Sequence, residues 1–301
     1  MKLSGAILFL CALAGSVAAA QGPAPDARSK PEPKRALQKP EPLGIAYCDV
    51  DHLYDTIPSL FYDDTDSTPQ GRRHWNTQRY RCKIARTAAL VDSLGVPIIG
   101  LWGVENEEVV RDISRACEGD YTYLHRTLNS LDGMDFALLY HADKFFPHYI
   151  EPGRHYLYVE GILRRAVGRG PQRRFRSDTL GLVLCSEARI CRWVVEELRD
   201  ERPGTKLVTM GRLPAREAAK YGLRDVHAQA EKAGHGNIRS RAGWVMRNRI
   251  AVDTALRVGA GGVYIRRFLL DPAGTRPLPA FDRHRYAGGT SYALPVYVYL
   301  E

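Results

Sequence analysis

The segment Tyr47–Thr56 reads YCDVDHLYDT and marks a change in the character of the sequence. The residues that lead into it, Leu43 to Val50, are almost all apolar, which indicates a strand. The residues that follow it form a long polar stretch through Asp63-Asp64-Thr65-Asp66. We therefore predict a strand that ends in a long polar loop.

Helices and further strands alternate along the rest of the chain. Apolar residues recur at helical spacing from Tyr80 to Leu94, with Thr77 as the predicted N-cap and Gly95 as the stop. A second amphipathic helix is predicted around Ile190–Leu198. Strands are predicted at Ile98–Trp102, Met134–Tyr140, Tyr156–Leu163, Thr179–Cys185, Lys206–Met210 and Pro295–Leu300. This alternation, with several hairpin-like strand pairs, predicts a mixed α/β layered domain.

A series of motifs resembles the bacterial endonuclease/exonuclease/phosphatase superfamily. The opening segment is similar to the family's Tyr-Asn-Val-Glu-Asn-Leu-Phe-Asp, and Gly133–Tyr140 is similar to its Gly-Ile-Asp-Val-Ala-Leu-Leu-Tyr strand. Ser291–Val296 stands where the family reads Ser-Asp-His-Leu-Pro-Val. Further matches in the same order are Asp63-Asp64, Thr68–Gly71, Trp75, Arg79-Tyr80, Leu94-Gly95 and Gly100–Asn106. The resemblance implies the DNase I-like fold, in which two mixed β-sheets pack as a sandwich with flanking helices and the site lies at one end.

The resemblance also implies a chemistry, namely hydrolysis of phosphate esters by a carboxylate-bound divalent cation and a histidine-aspartate pair. In this chain most positions of that machinery hold other residues. Gly103 replaces the metal-binding Glu, Cys185 a histidine, and Tyr292 and Ala293 the orienting Asp and the general base. Among the family positions occupied by Asp49, Gly103, Cys185, Arg212, Pro214, Asn248, Arg249, Tyr292 and Ala293, none is a confident catalytic residue. The sequence therefore predicts a catalytically degenerate member, for which no cofactor is expected.

Four residues of the family pattern survive: Asp49, Glu105, His125 and Asp135. One hypothesis is that Asp49, Glu105 and Asp135 form a rebuilt site for Mg²⁺ or another divalent cation, with His125 or His52 as the base. The alternative is structural. Asp135 and His125 would then be hydrogen-bonded within the fold, and Glu105 would cap the helix that follows, because carboxylates are favoured at helix starts.

The charge of the chain suits anionic partners. The formal net charge is +9, with arginine favoured over lysine, and the densest basic cluster extends from Arg164 to Arg176. Arg212, Arg247, Arg249 and Arg189 are the candidate anion-binding residues, because a guanidinium binds phosphate or carboxylate oxygens directly. The alternatives are that these arginines are solvated, or that they neutralise the surviving carboxylates.

The N-terminus predicts export. Lys2, an apolar run from Leu3 to Val17 and a small-residue cleavage site at Ala18–Ala20 form a secretory signal peptide over residues 1–20. Residues 21–42 are rich in proline and charge and predict a disordered tether. Residues 43–301 form the domain, with no membrane span. A secreted or periplasmic location permits disulfides, with Cys82–Cys117 or Cys185–Cys191 as possible pairs.

Three functions remain open from the sequence. The first is a silent member that binds an anionic ligand, such as nucleic acid or another polyanion, through the former active-site cleft. The second is an active metal-dependent phosphodiesterase, nuclease or phosphatase with a site rebuilt around Asp49, Glu105 and Asp135. The third is a structural protein tethered near an envelope partner.

Overall fold

The computed structural model describes residues 41–128, 130–168, 173–213 and 218–301, and its strands form two sheets of six. The first sheet has the order β13-β16-β1-β2-β4-β3. Its strands are β1 (Leu43–Leu53), β2 (Ile98–Val104), β3 (Thr122–Arg126), β4 (Asp135–Tyr140), β13 (Val258–Val263) and β16 (Val296–Leu300). Only the pair β1 and β2 is parallel among the described pairs of this sheet, so the carboxyl ends of these two strands lie side by side.

The second sheet has the order β5-β6-β7-β8-β12-β9. Its strands are β5 (Phe145–Gly153), β6 (Tyr156–Val167), β7 (Arg174–Cys185), β8 (Lys206–Gly211), β9 (Leu223–Asp225) and β12 (Arg249–Asp253). β7 and β8 are parallel, with Cys185 opposite Gly211 at their shared carboxyl end. Two short hairpins, β10 (Ile238–Ser240) with β11 (Gly243–Val245) and β14 (Phe281–Asp282) with β15 (Arg285–Tyr286), stand outside the two sheets.

The described helices are α1 (Thr77–Leu94), α2 (Glu107–Ala116), α3 (Ala188–Glu201) and the short α4 (Ala228–Lys232). The predicted cap at Thr77 is wrong by one residue, since the Asn76 side chain accepts the hydrogen bond from the Arg79 amide. Gly95 ends α1 as predicted, in the left-handed conformation with φ 58°. Glu105 is not the cap of α2, because Asn106 accepts from the Val109 amide.

Three apolar layers hold these elements together. One cluster lies between the sheets and contains Ile45, Phe136, Leu182 and Val208. A second joins the first sheet to α1 and α2, and a third joins the second sheet to α3 through Val194 and Leu198. The predicted sandwich of two mixed sheets with flanking helices is therefore confirmed.

Several predictions concern residues at the edge of this fold. The signal peptide and nearly all of the tether lie outside the described residues. No helix in the described part of the chain is long and apolar enough to cross a membrane. The five described cysteines are free, so neither possible disulfide is formed in this structure, although the thiols of Cys185 and Cys191 are in contact.

Candidate functional site

The candidate site lies where the carboxyl ends of the two parallel strand pairs meet. β1 and β2 bring Asp49 opposite Trp102, the residue before Gly103. β7 and β8 bring Cys185 opposite Gly211, and the Cys185 carbonyl accepts from the Arg212 amide at 3.0 Å. Tyr47 connects the two pairs, since a Cβ placed on Gly211 would lie 3.1 Å from the Tyr47 hydroxyl. The fold therefore gathers residues distant in sequence at one end of the sandwich.

Asp49 is buried and its carboxylate is already engaged. The Tyr292 hydroxyl donates to Oδ2 at 2.8 Å, and the Asp51 amide donates to Oδ1 at 3.0 Å. Burial raises the pKa of Asp49, and these two hydrogen bonds offset the shift in part. Tyr292, which stands at the family's orienting Asp, thus donates a hydrogen bond to the Asp49 carboxylate.

Gly103, which stands at the family's metal-ligand position, also has an unusual backbone conformation. Gly103 has φ +90°, and a Cβ there would lie 3.2 Å from the His52 amide nitrogen. On the neighbouring strand Asp51 and His52 both have positive φ, at 54° and 49°, and the pairing of β1 with β2 shifts register at this point. Such conformations favour glycine and strain other residues. The local backbone therefore disfavours any side chain at position 103.

Two basic side chains, Lys83 and His52, lie near Asp51, and no sequence motif distinguished Lys83. Lys83 of α1 is buried and donates from Nζ to the Asp51 carbonyl at 2.5 Å, and burial lowers its pKa to about 8. His52 was a candidate base. The carboxylates of Asp132 and Asp51, which lie 3.7 and 3.8 Å from its ring nitrogens, raise its pKa to about 9. A histidine with that pKa is protonated near neutral pH and is not a general base there.

Glu105 holds the loop that follows β1. Its Oε1 accepts from the Tyr62 hydroxyl at 2.7 Å, and its Oε2 accepts from the Asp55 amide at 2.5 Å. Trp75 supports the same loop by donating from Nε1 to the carbonyls of Tyr54 and Asp55. Burial raises the pKa of Glu105 to about 7. The contacts assign Glu105 to the structure of the loop.

Asp135 and His125 form a separate buried pair. His125 Nε2 lies 3.0 Å from Asp135 Oδ2, while Oδ1 of the same carboxylate accepts from the Leu128 amide at 2.8 Å. Both residues are less than one tenth exposed. These contacts match the structural alternative given for the two residues in the sequence.

The residues present do not fit the family's divalent cation. We call the three residues Asp49, Glu105 and Asp135 the carboxylate side, as a set and not as one cluster. Each carboxylate has its own hydrogen-bond donors. Nowhere in the described ranges do three or more His, Cys, Asp or Glu side chains gather in a group able to hold a metal ion. The convergence that the rebuilt-site hypothesis requires is not found there.

A second group of residues, which we call the cationic side, consists of Arg212, Arg247 and Asn248. The Arg247 guanidinium lies 5.7 Å from the centre of the Tyr292 ring. The charge of Arg212 opposes the rise in the pKa of Tyr47, and the charge of Arg247 opposes the rise in the pKa of Tyr292. Both arginines are half-buried, and neither guanidinium forms an ion pair or hydrogen bond with another described residue. Within the described residues, Arg212 and Arg247 are therefore two cations without an acidic partner.

Asn248 adds an unsatisfied donor. It is 2% exposed, and its Nδ2 has no hydrogen-bond partner in the part of the chain that the structure describes. Its backbone is held by Asn237, whose Oδ1 accepts from the amides of Arg247 and Asn248 at 2.8 and 3.3 Å. Asn237 also donates to the Leu294 carbonyl, so one buried amide side chain joins three segments of the site. No motif in the sequence distinguished Asn237.

The structure corrects the prediction for Arg249. Its guanidinium is buried and pairs with Asp225 at 2.9 Å and Glu231 at 2.5 Å. These partners, rather than Asp49 or Asp135, neutralise it, and we withdraw it as an anion-binding candidate. Arg189 is exposed in the first turn of α3, and no described contact links it to Arg212 or Arg247. Pro214 lies outside the described residues.

The two remaining substituted positions are apolar in their surroundings. Cys185 is fully buried at the end of β7, and Ala293 is 5% exposed, with its amide donating to the Ser291 hydroxyl at 3.0 Å. Neither position offers a group that could accept a proton from water in the site, since the Cys185 thiol is buried and the Ala293 side chain is a methyl group.

These features define a DNase I-like fold with a candidate site at one end of the sandwich. Residues 44–160 match the family model described as the Endonuclease/Exonuclease/phosphatase family, while no curated protein is significantly similar in sequence. This part of the chain is similar to that family, and the described domain has the same fold as its solved structures.

Solved structures show the same fold at low sequence identity. A mannosyl-6-phosphatase from Bacteroides thetaiotaomicron VPI-5482 is 15% identical, with a TM-score of 0.53 over 86% of this chain and 99% of that one. A D. rerio TDP2 humanized by 14 mutations is 13% identical, with a TM-score of 0.52 over 86% and 99%. A family protein from Bacteroides thetaiotaomicron is 14% identical, with a TM-score of 0.51 over 87% and 96%.

Proposed function

We propose that this chain is an exported, catalytically silent member of its superfamily that binds polyanions such as nucleic acid through the former active-site cleft, without a divalent cation. The observation that carries the proposal is the pairing of an engaged Asp49 with two uncompensated arginines. The carboxylate that would hold a cation accepts from Tyr292, and neither Arg212 nor Arg247 has an acidic partner among the residues that the structure describes.

Loss of catalysis is supported by three independent positions. Hydrolysis needs a cation to polarise the phosphate, a base to activate water and a group to orient that base. The corresponding residues are Gly103, Ala293 and Tyr292. His52 does not replace the base, because Asp132 and Asp51 raise its pKa to about 9.

Binding of an anion is supported by the groups on the cationic side. A buried or half-buried guanidinium without a carboxylate is costly, and a phosphate would compensate it through charge-assisted hydrogen bonds. Asn248 Nδ2 is a further buried donor that lacks an acceptor among the described residues. The ligand class follows from these donors, because all three groups donate and none accepts.

Export is supported by the sequence alone. The apolar run from Leu3 to Val17 and the small residues Ala18–Ala20 have the pattern of a signal peptide. Because an extracellular or periplasmic protein meets free nucleic acid and acidic glycans, this location is compatible with a polyanion ligand.

The proposal is tested by binding of a labelled oligonucleotide, measured by fluorescence anisotropy in the presence of chelator at several salt concentrations. We expect the parent to bind, and the affinity to fall as salt rises because neutralised phosphates release counterions. The double variant Arg212→Ala/Arg247→Ala should bind about tenfold or more weakly and show a smaller salt slope. Arg115→Ala, which removes an exposed arginine of α2, is the matched control and should bind like the parent.

Two results would overturn the proposal. Equal affinity of the parent and the double variant would show that the cleft is not the anion site. Magnesium- or manganese-dependent hydrolysis of nucleic acid or of a chromogenic phosphodiester, lost in Asp49→Ala, would show that the protein is an active enzyme.

A further inference from the structure

A second cationic pocket lies at the other end of the second sheet. Its volume is about 380 Å³, and it is lined chiefly by Arg165, Arg176, Lys206, Leu256, Arg257 and Glu301. Arg165 and Arg176 belong to the basic cluster noted in the sequence between Arg164 and Arg176. The polyanion-binding cleft proposed above does not account for this cluster.

The pocket is well separated from the candidate site. β7 contributes Arg176 to the pocket near its start and Cys185 to the candidate site at its end. Nine residues of extended strand span roughly 30 Å. β8 likewise begins at Lys206 in the pocket and ends at Gly211 beside Arg212. The two sites therefore lie at opposite ends of the same strands.

Three of the cations share one carboxylate. Arg165 and Arg176 stand opposite each other on β6 and β7, and both reach Asp178, at 3.3 and 3.2 Å. Lys206 reaches the other oxygen of Asp178 at 3.4 Å. Burial alone would raise the Asp178 pKa, but Lys206 and Arg176 outweigh it and hold the pKa below its usual value.

With Arg257 the lining contains four cations, against Glu301 in the wall and Asp178 beside it. Two carboxylates do not neutralise four cations, so the pocket retains positive charge. Its size falls within the range of small-molecule sites.

Arg165 supplies the second, independent observation. The residue is 8% exposed, and its Nε is buried without a hydrogen-bond partner in the described residues. Buried N–H groups are nearly always satisfied, and the described residues supply no acceptor for this one. Arg165 NH2 already holds Asp178, so the guanidinium is fixed in place at the wall of the pocket.

We propose that this pocket is a second ligand site, which binds a doubly charged tetrahedral oxyanion of the kind carried by inorganic phosphate or a small phosphomonoester. The planar forks of Arg165 and Arg176 match the oxygens of such a group, and Lys206 adds a compact charge. Leu256 provides an apolar wall that an organic substituent on the phosphate would contact. Binding requires no movement of the strands, because the cations are already held by Asp178.

The test is isothermal titration calorimetry of the full mature chain at about pH 8, where a phosphate is doubly charged. The ligands are inorganic phosphate and glycerol phosphate. The variant Arg176→Gln/Arg257→Gln changes two exposed side chains and leaves buried Arg165 in place. We expect it to bind phosphate about tenfold or more weakly than the parent, while Arg115→Gln binds like the parent. Equal melting temperatures would show that the fold is intact.

The variant Arg212→Ala/Arg247→Ala separates the two sites. We expect it to keep phosphate binding in this pocket while it loses oligonucleotide binding in the cleft. Tighter binding of glycerol phosphate than of inorganic phosphate would identify the ligand as a phosphomonoester, and the reverse order would identify free phosphate. Phosphate binding that survives in Arg176→Gln/Arg257→Gln, or no phosphate binding by the parent, would overturn the proposal without affecting that for the cleft.

Discussion

The carboxylate side and the cationic side of the candidate site differ in how completely their polar groups are satisfied. On the carboxylate side, Asp49, Glu105 and Asp135 each accept two hydrogen bonds or contacts from the surrounding chain. On the cationic side, Arg212 and Arg247 have no acidic partner in the described residues. The carboxylates therefore act within the protein, while the guanidinium groups remain available to a ligand. A satisfied buried network stabilises a fold, whereas unsatisfied donors cost stability unless a ligand is bound.

Arg249 gives the test with the largest expected effect, because its guanidinium is satisfied by partners within the protein, as the carboxylates are. We expect Arg249→Met to lower the free energy of unfolding by about 3–5 kcal/mol, since Asp225 would remain buried without its cation. Arg247→Met, two residues away, should change it by about 0.5 kcal/mol or less. Urea unfolding of both variants measures the difference. Equal destabilisation would mean that Arg247 also has a structural role.

The contrast between these arginines also shows what the sequence could predict. The strong apolar patterns identified β1, α1, β2, β4, β8 and β16 within a few residues, because each is buried in a layer of the fold. β6 and β7 were predicted too short, and the missed start of β7 is exposed and has no apolar pattern. β3 and β5 were missed, and β5 has a mixed burial pattern that gives no clear period. The substitutions at the family positions could be identified from the sequence motifs. The residues that contact Arg249 could not be predicted, because Asp225 and Glu231 reach it only through the folding of β9 and α4 against β12.

The next test addresses the backbone of the carboxylate side. Gly103→Ala should lower the free energy of unfolding by about 1–3 kcal/mol, because a side chain at φ +90° is strained and its Cβ meets the His52 amide at 3.2 Å. Gly204→Ala is the matched control. No atom lies within 4 Å of a Cβ at Gly204, and we expect a change near zero. If both alanines have the same effect, the conformation at position 103 does not explain the loss of the metal ligand.

A further test of the carboxylate side is a pH dependence that originates in Glu105. Burial raises the pKa of its carboxyl to about 7 in the folded protein, above the ordinary value of 4.5. Between these two values the folded state binds more protons than the unfolded state, so the free energy of unfolding falls as pH rises. The contribution is fully present below pH 4.5 and is lost as pH rises through about 7.

Glu105→Gln isolates this contribution, because glutamine has nearly the same shape and does not titrate. Buried Asp49 also has a raised pKa and adds a slope of the same sign in both proteins, which makes the difference between them the informative quantity. We expect the parent to lose on the order of 1 kcal/mol more than Glu105→Gln for each unit of pKa shift across this window. Denaturant unfolding at several pH values measures that difference. A constant difference across the window would show that Glu105 is ionised throughout, and that its hydrogen bonds from Tyr62 and Asp55 fully compensate its burial.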